Sequence, residues 1–381
     1  MNKLKILFLD HISLLSGGEK SLLDILVNID KDIFEPILVC PSEGPLTIAA
    51  REAGVKVIIS EYNSNLVAFN RSKYNLRKLL ISLSSLGKPI KDLINIVKKE
   101  NCDIIYTNSM KSHFIGSIVA KLTGKKLVWH VRDILEEGFL LKTFNFFAKY
   151  PNEIICISKA VESQFKNSIQ SKKVIYNGLA PYNTEENKDS SSEFRSNDQD
   201  FIIGLVGQIA KWKGQEIFIK SGLELLKNNR NYKFVIVGDA LFEKEKSYKA
   251  YIENLVKDEK RIIFTGYRKD VRQIIRGFDL LVHASVKPEP FGRVIIEAME
   301  AGIPVIATNI GGPTEIIIDG FSGLLYCPES KKELIEKIEM LNKNKGLLTV
   351  LGENGKKRYQ ENFLLETTIR KIEKTLIDLT K

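Results

Sequence analysis

The chain has 381 residues, of which 44% are hydrophobic, 27% charged and 9% aromatic. That length and apolar fraction suit two or three domains with cores of their own and exclude a disordered, collagenous or disulfide-scaffold protein. The formal charge of +10 points to anionic partners and is uneven: residues 1–180 hold 25 basic and 17 acidic side chains, an excess of 8, and residues 181–381 hold 32 and 30, an excess of 2.

The first apolar stretch, Ile6 to Leu9, is closed by Asp10, far too soon for the apolar core of a secretory leader, so none is expected. Short β-rich runs follow in order: KILFL, PILVC, VKVII, DIIYTN, KLVWH and EIICIS. Segments with apolar residues at helical spacing, such as Glu19 to Ile29 and Ser112 to Leu122, separate them. That alternation predicts a parallel sheet covered by helices. Residues 71–99 carry eight basic residues against one acid, Asp92, among apolar residues at helical spacing. They read either as ordinary sheet-covering helices or as a face that meets an anionic membrane.

Residues 181–200 are polar and nearly free of large apolar side chains, which reads as a linker or long surface loop. The β–helix alternation then restarts with FIIGLVGQ, KFVIVGD, RIIFTG, DLLVHAS, IPVIAT and GLLY. Apolar residues at helical spacing from Leu365 to Leu379 predict a closing helix. The expected fold class is therefore α/β, with two Rossmann-like domains whose parallel sheets face a central cleft. The expected boundaries are 1–180, a linker at 181–200, and 201–362, with the last helix, within 363–381, packing back on the first domain. The longest uncharged run, Ala301 to Thr314, is broken by Gly302, Pro304, Gly311, Gly312 and Pro313, so no bilayer-spanning helix is expected. Cys40, Cys102, Cys156 and Cys327 have no paired spacing and read as reduced core thiols rather than metal ligands.

Ligands of open parallel sheets bind beyond the carboxyl ends of the strands, where helix N-termini offer free N–H groups. The segment DLLVHASVKPEPFGRVIIEAMEAGIPVIATNIGGPTEII, residues 279–317, places Glu289 in such a loop and Glu297 about one and a half turns into the following helix. Amides at Phe291, Gly292 and Arg293 can receive an anion there, and the two carboxylates can accept hydrogen bonds from hydroxyls. In FIIGLVGQIAKWKGQ, Lys211 and Lys213 follow a strand and can neutralise phosphate charge. Gly17 and Gly18 open a helix after the first strand, and His130 closes KLVWH, with Arg132 and Asp133 just beyond. Tyr267 and Arg268, after RIIFTG, are candidates to stack on a nucleobase. His283 reads as a core residue, while His11 and His113 receive no role.

The sequence Glu289-Pro-Phe-Gly-x4-Glu297-Ala298, then Gly302-Ile303-Pro304-Val305, then Gly311-Gly312, resembles the retaining glycosyltransferases of family 4, also called glycosyltransferase group 1, whose fold is GT-B. The resemblance spans most of the second domain. It implies that Glu289 contacts the donor sugar, that Glu297 contacts the nucleotide ribose, and that amides of Phe291 to Val294 hold the diphosphate. It further implies that Lys213 stabilises the leaving diphosphate and that His130 lies near the reacting carbon. Gln208 stands where the family usually has Arg, so Lys211 or Arg293 becomes the compensating cation. Gly17 and Gly18 are carried over as donor contacts, Arg132 and Asp133 as acceptor contacts.

No Asp-x-Asp cluster closes a strand, and lysine with helix amides can hold a diphosphate, so neither a metal nor another cofactor is implied. The implied reaction moves a sugar from a nucleotide-diphosphate donor to a glycan or lipid-linked acceptor, with retention, in cell-surface polysaccharide or glycan assembly. The expected setting is the cytoplasm, with contact at the inner face of the membrane through residues 71–99. Nucleic acid is not an expected partner, because no reading module accompanies the basic residues. Two alternatives remain open: a non-catalytic nucleotide-sugar binder, favoured by Gln208, and a nucleotide-sugar epimerase of similar architecture, for which additional acid/base carboxylates are not found.

Overall fold

The structure is a computed structural model and describes residues 3–60, 87–165, 170–183 and 193–381. Contacts divide the chain into two compact units, residues 1–178 with 365–381, and residues 179–364. Both are α/β units with Rossmann-like parallel sheets.

In the first unit the apolar runs form β1 (Leu4–Leu9), β2 (Phe34–Cys40), β3 (Lys56–Ile59), β4 (Ile104–Thr107), β5 (Lys126–Val131), β6 (Glu153–Cys156) and β7 (Lys172–Val174). Among the described residues their order is β3-β2-β1-β4-β5-β6-β7, parallel throughout. The second unit has β8 (Phe201–Val206), β9 (Tyr232–Val237), β10 (Ile262–Gly266), β11 (Leu280–His283), β12 (Val305–Thr308) and β13 (Leu324–Tyr326). Their order is β10-β9-β8-β11-β12-β13, again parallel. In each sheet the chain first builds outward one way and then restarts on the other side of its first strand. The β1/β4 and β8/β11 pairs are therefore switch points, where adjoining loops diverge and leave a crevice beyond the strand ends.

The helix Leu365–Asp378 joins the first unit, where Leu365, Ile369, Ile372 and Leu376 enter a core with Ile6, Phe8, Leu22 and Ile25. Their 4-3-4 spacing makes one apolar stripe, and each such side chain contributes about 1.5–3 kcal/mol on burial. Thr368 Oγ1 also donates to the Tyr176 carbonyl at 2.9 Å.

Several local expectations change. Residues 193–200 are not free linker: Phe194 is buried beside Phe278, with ring centroids 6.3 Å apart, and Arg195 donates to Asp279 at 2.7 Å. Asp200 is buried, accepts from Ser196 N–H at 2.6 Å and pairs with Lys233 at 2.8 Å. A single aromatic anchor among polar residues left little trace in composition. Residues 184–192 lie outside the described residues. Of the expected membrane face at 71–99, residues 71–86 also lie outside them. The remainder is the helix Gly87–Lys99, whose Pro89, Leu93 and Val97 are buried while Lys88, Lys91, Lys98 and Lys99 are exposed. β7 went unseen because three residues, two of them lysine, leave no apolar pattern. Cys327 is exposed rather than in the core, whereas burial pushes the Cys102 and Cys156 thiols up to about 11 and about 12. No helix among the described residues is long and apolar enough to cross a membrane.

Candidate active site

The second unit assembles its polar cluster at the β8/β11 switch point. After β8 the chain makes a short helical turn, Lys211–Lys213, which Gly214 ends in a left-handed conformation, φ +72°. The Val286 N–H donates to the Trp212 carbonyl at 2.8 Å, tying this turn to the loop after β11. The approach is so close that a Cβ on Gly214 would lie 1.8 Å from the Ala284 carbonyl oxygen. Gly214→Ala combines that overlap with an unfavourable φ and should cost about 2–4 kcal/mol, read as a lower melting temperature. Full stability in this variant would show that the turn is not pinned as described.

That docking carries Lys213 to Glu289. The Lys213 ammonium lies 2.8 Å from Oε1 and 2.7 Å from Oε2 of Glu289, and 4.2 Å from the Trp212 ring centroid. The buried Ser285 hydroxyl donates to Glu289 Oε2 at 2.8 Å. His283 Nε2 stands 3.4 Å from both that oxygen and the Ser285 hydroxyl, so this histidine belongs to the cluster instead of being an indifferent core residue. From the β12 side, Gly312 N–H donates to the Glu289 carbonyl at 2.7 Å, and Thr308 Oγ1 donates to the Ser285 carbonyl at 2.9 Å. A Cβ on Gly311, where φ is +68°, would sit 2.4 Å from the Glu289 carbonyl oxygen, which explains the glycine there. Burial alone would raise the Glu289 carboxyl, but the Lys213 ammonium and the His283 contact outweigh it and hold it well below the usual carboxylate range. Glu289, only 9% exposed, is therefore ionised and fixed from three sides.

The helix Arg293–Ala301 begins beside this cluster, capped by Gly292 at φ +107°. Its first turn carries the positive end of the helix dipole, and there Ile295 N–H donates to the Gly292 carbonyl at 3.0 Å. Phe291 is buried edge-on to Phe363, with centroids 6.0 Å apart, which anchors the helix start. Arg293 and Val294 are half-buried in the first turn. Glu297 lies one turn on, also half-buried, with its carboxylate 3.9 Å from Arg293 Nε.

Other expected donor residues behave differently. Gln208 turns its side-chain amide to Glu245 on the helix Glu243–Val256, and its carbonyl accepts from Gln215 at 2.8 Å. Lys211 is exposed. Arg268 does not offer a free guanidinium to a base: it is engaged by Glu193 at 2.7 and 3.1 Å and by Asp270 at 2.8 and 2.6 Å. Tyr267 is 59% exposed beyond β10, two strands from β8.

In the first unit Gly17 and Gly18 open the helix Gly17–Asn28, where Ser16 N–H donates to Glu19 at 3.2 Å. His130 departs from expectation. β5 runs on to Val131, so the His130 side chain lies in the layer beneath that helix, 1% exposed, lining a small cavity with Ser21, Ile25, Leu365 and Thr368. Its Nδ1 is 2.5 Å from the Tyr106 hydroxyl and 3.1 Å from Arg132 Nη2. Burial first, then the Arg132 charge, holds it well below the ordinary histidine value and hence neutral. His113 is likewise interior, 2.6 Å from Thr107 Oγ1 and stacked on Trp129 at 4.8 Å.

Arg132, past the strand end, is the centre of a network missed in the sequence. It donates to Asn108 at 2.7 Å and Asn177 at 2.6 Å, and Asn108 donates to Asp10 at 2.8 Å. His11 Nδ1 lies 2.7 Å from Ser109 Oγ. Asp10 and Asn108 immediately follow the β1 and β4 runs, the one sequence signal that could have found them. Asp133 is half-buried, and its carbonyl accepts from Gln164 at 2.8 Å.

Comparison with known proteins bears on both units. Residues 15–181 match the model described as Glycosyltransferase Family 4, and residues 186–358 match Glycosyl transferases group 1. A glycosyltransferase of Methanocaldococcus jannaschii is 31% identical over 317 residues, 79% of this chain and 81% of that protein. The UDP-Gal:alpha-D-GlcNAc-diphosphoundecaprenol alpha-1,3-galactosyltransferase of Escherichia coli is 25% identical over 99% of this chain and 98% of that protein. Among solved structures, HepE of Anabaena, in complex with UDP and glucose, has a TM-score of 0.83 and 26% identity over 98% of this chain and 99% of that one.

Proposed function

This chain belongs to the family 4, or group 1, glycosyltransferases, and on that premise we propose that it moves a sugar from a nucleoside-diphosphate donor to a hydroxyl of a glycan or lipid-linked acceptor, with retention at the anomeric carbon, in polysaccharide or glycan assembly. The observation that carries the reading is the ionised Glu289 clamped by Lys213 at a switch point beside a helix N-terminus. Such a place offers what a sugar diphosphate needs: a carboxylate to accept hydroxyl hydrogens, a cation and amides for the phosphates. HepE supports UDP as the first nucleotide to test, and the E. coli relative, by its name, supports a polyprenyl-diphosphate-linked sugar as acceptor.

In the proposed reaction the acceptor oxygen bonds to the anomeric carbon on the face from which the diphosphate departs. The carbon–oxygen bond to the diphosphate breaks with its electron pair on the leaving group, and a phosphate oxygen takes the acceptor proton. Lys213 and the amides of Phe291 to Val294 stabilise the charge growing on the diphosphate, where such fixed groups contribute most. Glu289 orients the donor sugar and Glu297 the ribose hydroxyls, while Arg132 and Asp133 of the first unit are assigned to the acceptor. These roles need no metal, so transfer is expected to survive EDTA. His130 is given no contact with the reacting carbon, since it is buried beneath a helix.

The test is incubation with UDP-sugars and polyprenyl-diphosphate-linked acceptors, following UDP release and the anomeric configuration of the product by NMR. Acceptor-dependent UDP release with a retained configuration supports the proposal, and an inverted product removes the retaining mechanism. Gln208, turned toward Glu245 instead of supplying the usual cation, favours a second reading as a non-catalytic binder. Donor binding without UDP release across the panel would establish that reading.

A further inference from the structure

We propose that His11, in the loop after β1, binds the acceptor by taking a hydrogen bond at Nε2 from one of its sugar hydroxyls, an inference that rests on the transferase reading. The assignment begins at Arg132, whose guanidinium can only donate. Its Nε donates to Asn108 Oδ1 at 2.7 Å, which turns the Asn108 amide nitrogen to Asp10 Oδ2 at 2.8 Å. The other Asp10 oxygen accepts from the His11 backbone N–H at 2.7 Å and lies 3.2 Å from His11 Nδ1. Asp10, wholly buried, therefore stands as an acceptor toward the ring. Ser109 Oγ approaches the same Nδ1 at 2.7 Å, and its role is fixed independently. The Ser112 hydroxyl is directed to the Ser109 carbonyl at 2.7 Å, so the Ser109 hydroxyl donates to Ser112 Oγ at 3.0 Å and meets His11 as an acceptor.

Two acceptors facing Nδ1 place the ring proton there, so in the neutral imidazole Nε2 carries a bare lone pair. That nitrogen has no partner among the described residues, and 25% of the His11 side chain is exposed, whereas Asp10, Asn108 and Ser109 are buried. The network thus ends in one outward-reaching acceptor at the β1/β4 switch point, the place where open parallel sheets receive ligands. A bare imidazole nitrogen takes a hydrogen from a hydroxyl. Phosphate does not suit it, because Asp10 and Glu19 stand close together there: burial first, then the Asp10 charge, raises the Glu19 carboxyl. His11 therefore receives the sugar of a lipid-linked acceptor and not its diphosphate. The attacking hydroxyl gives its proton to a phosphate oxygen in the proposed reaction, so the His11 partner is another hydroxyl of the same sugar.

Two replacements separate the ring nitrogens. His11→Asn sets an amide N–H where Nδ1 donates but stops short of Nε2, and His11→Gln reaches far enough to set an amide oxygen near Nε2. With a polyprenyl-diphosphate-linked acceptor that supports UDP release by the unaltered chain, His11→Phe and His11→Asn should each raise the Michaelis constant for the acceptor by about three- to tenfold, the range for one hydrogen bond. Turnover should change less, and His11→Gln should recover most of the loss. A merely structural histidine reverses that order, with asparagine recovering and glutamine failing, and this result overturns the proposal, as does an unchanged acceptor constant in His11→Phe. Denaturant unfolding checks the fold of each variant. Nitrogen NMR of the histidine-labelled full chain, with His11 assigned by the signals lost in His11→Asn, should show Nδ1 protonated and Nε2 bare while the ring is neutral. The opposite tautomer overturns the proposal even if every variant folds poorly. Absence of UDP release by the unaltered chain with every acceptor would instead remove the transferase reading, and this inference with it.

Discussion

Glu289→Gln is expected to lower sugar transfer by about a hundredfold to a thousandfold, the range seen when one preorganised polar contact to a transition state is removed. The replacement keeps the shape and an oxygen to accept from Ser285, but removes the charge that pairs with Lys213. It also leaves a lysine whose side chain is 19% exposed without its partner, so folding stability should fall by about 1–3 kcal/mol. Initial rates with donor and acceptor, beside denaturant unfolding, separate the two effects. A variant that unfolds normally and transfers at the original rate would remove Glu289 from the site. Because Lys213 holds the carboxylate well below its usual range, any fall in rate attributable to Glu289 should begin only at strongly acidic pH.

Lys213→Met should cut turnover by about a hundredfold to a thousandfold while raising the Michaelis constant for the donor much less, because diphosphate charge grows as the bond breaks. Methionine keeps most of the side-chain volume over Trp212, which limits the change to the lost ammonium. The variant also carries a pH signature. In the unaltered chain the depressed Glu289 carboxyl contributes stability that is present above the unfolded carboxylate pKa and lost as pH falls toward the folded one. Without the cation, burial is the leading influence on that carboxyl and pushes it up. The carboxyl of the variant therefore sits higher than in the unaltered chain, so less stability should be lost as pH falls through the carboxylate range. Melting temperatures between pH 4 and pH 7 should therefore diverge, the variant losing ground toward neutrality. Parallel curves would mean that Lys213 does not govern Glu289, and equal turnover would end its assignment to the diphosphate.

The Glu289 cluster was readable because its parts are local. Ser285, Glu289 and the start of the helix Arg293–Ala301 follow one strand within about a dozen residues, and Gly311 and Gly312 follow the next. The first-unit network was not, since Asp10, Asn108, Arg132 and Asn177 come from four distant segments that only the strand order brings together. Side-chain direction was the second source of error. His130 stands one residue short of the end of β5, and alternation along a strand turned it into the helix layer, leaving Arg132 beyond the edge. The partners of Arg268 and Gln208 were not legible either, because Glu193, Asp270 and Glu245 become their neighbours only in the fold.

By itself, then, the sequence determined the alternation of strand and helix, the two-sheet α/β class, and the strand–loop–helix setting of Glu289, all consequences of hydrophobic period and of residues near one another in the chain. Tertiary structure alone decided that Lys213 clamps Glu289, that His283 joins them, and that the His130 side chain is buried instead of open at the end of β5. The reason is physical: periodicity reports which residues prefer burial, but ionisation and contact depend on the distance and direction between groups that the chain brings together only when it folds.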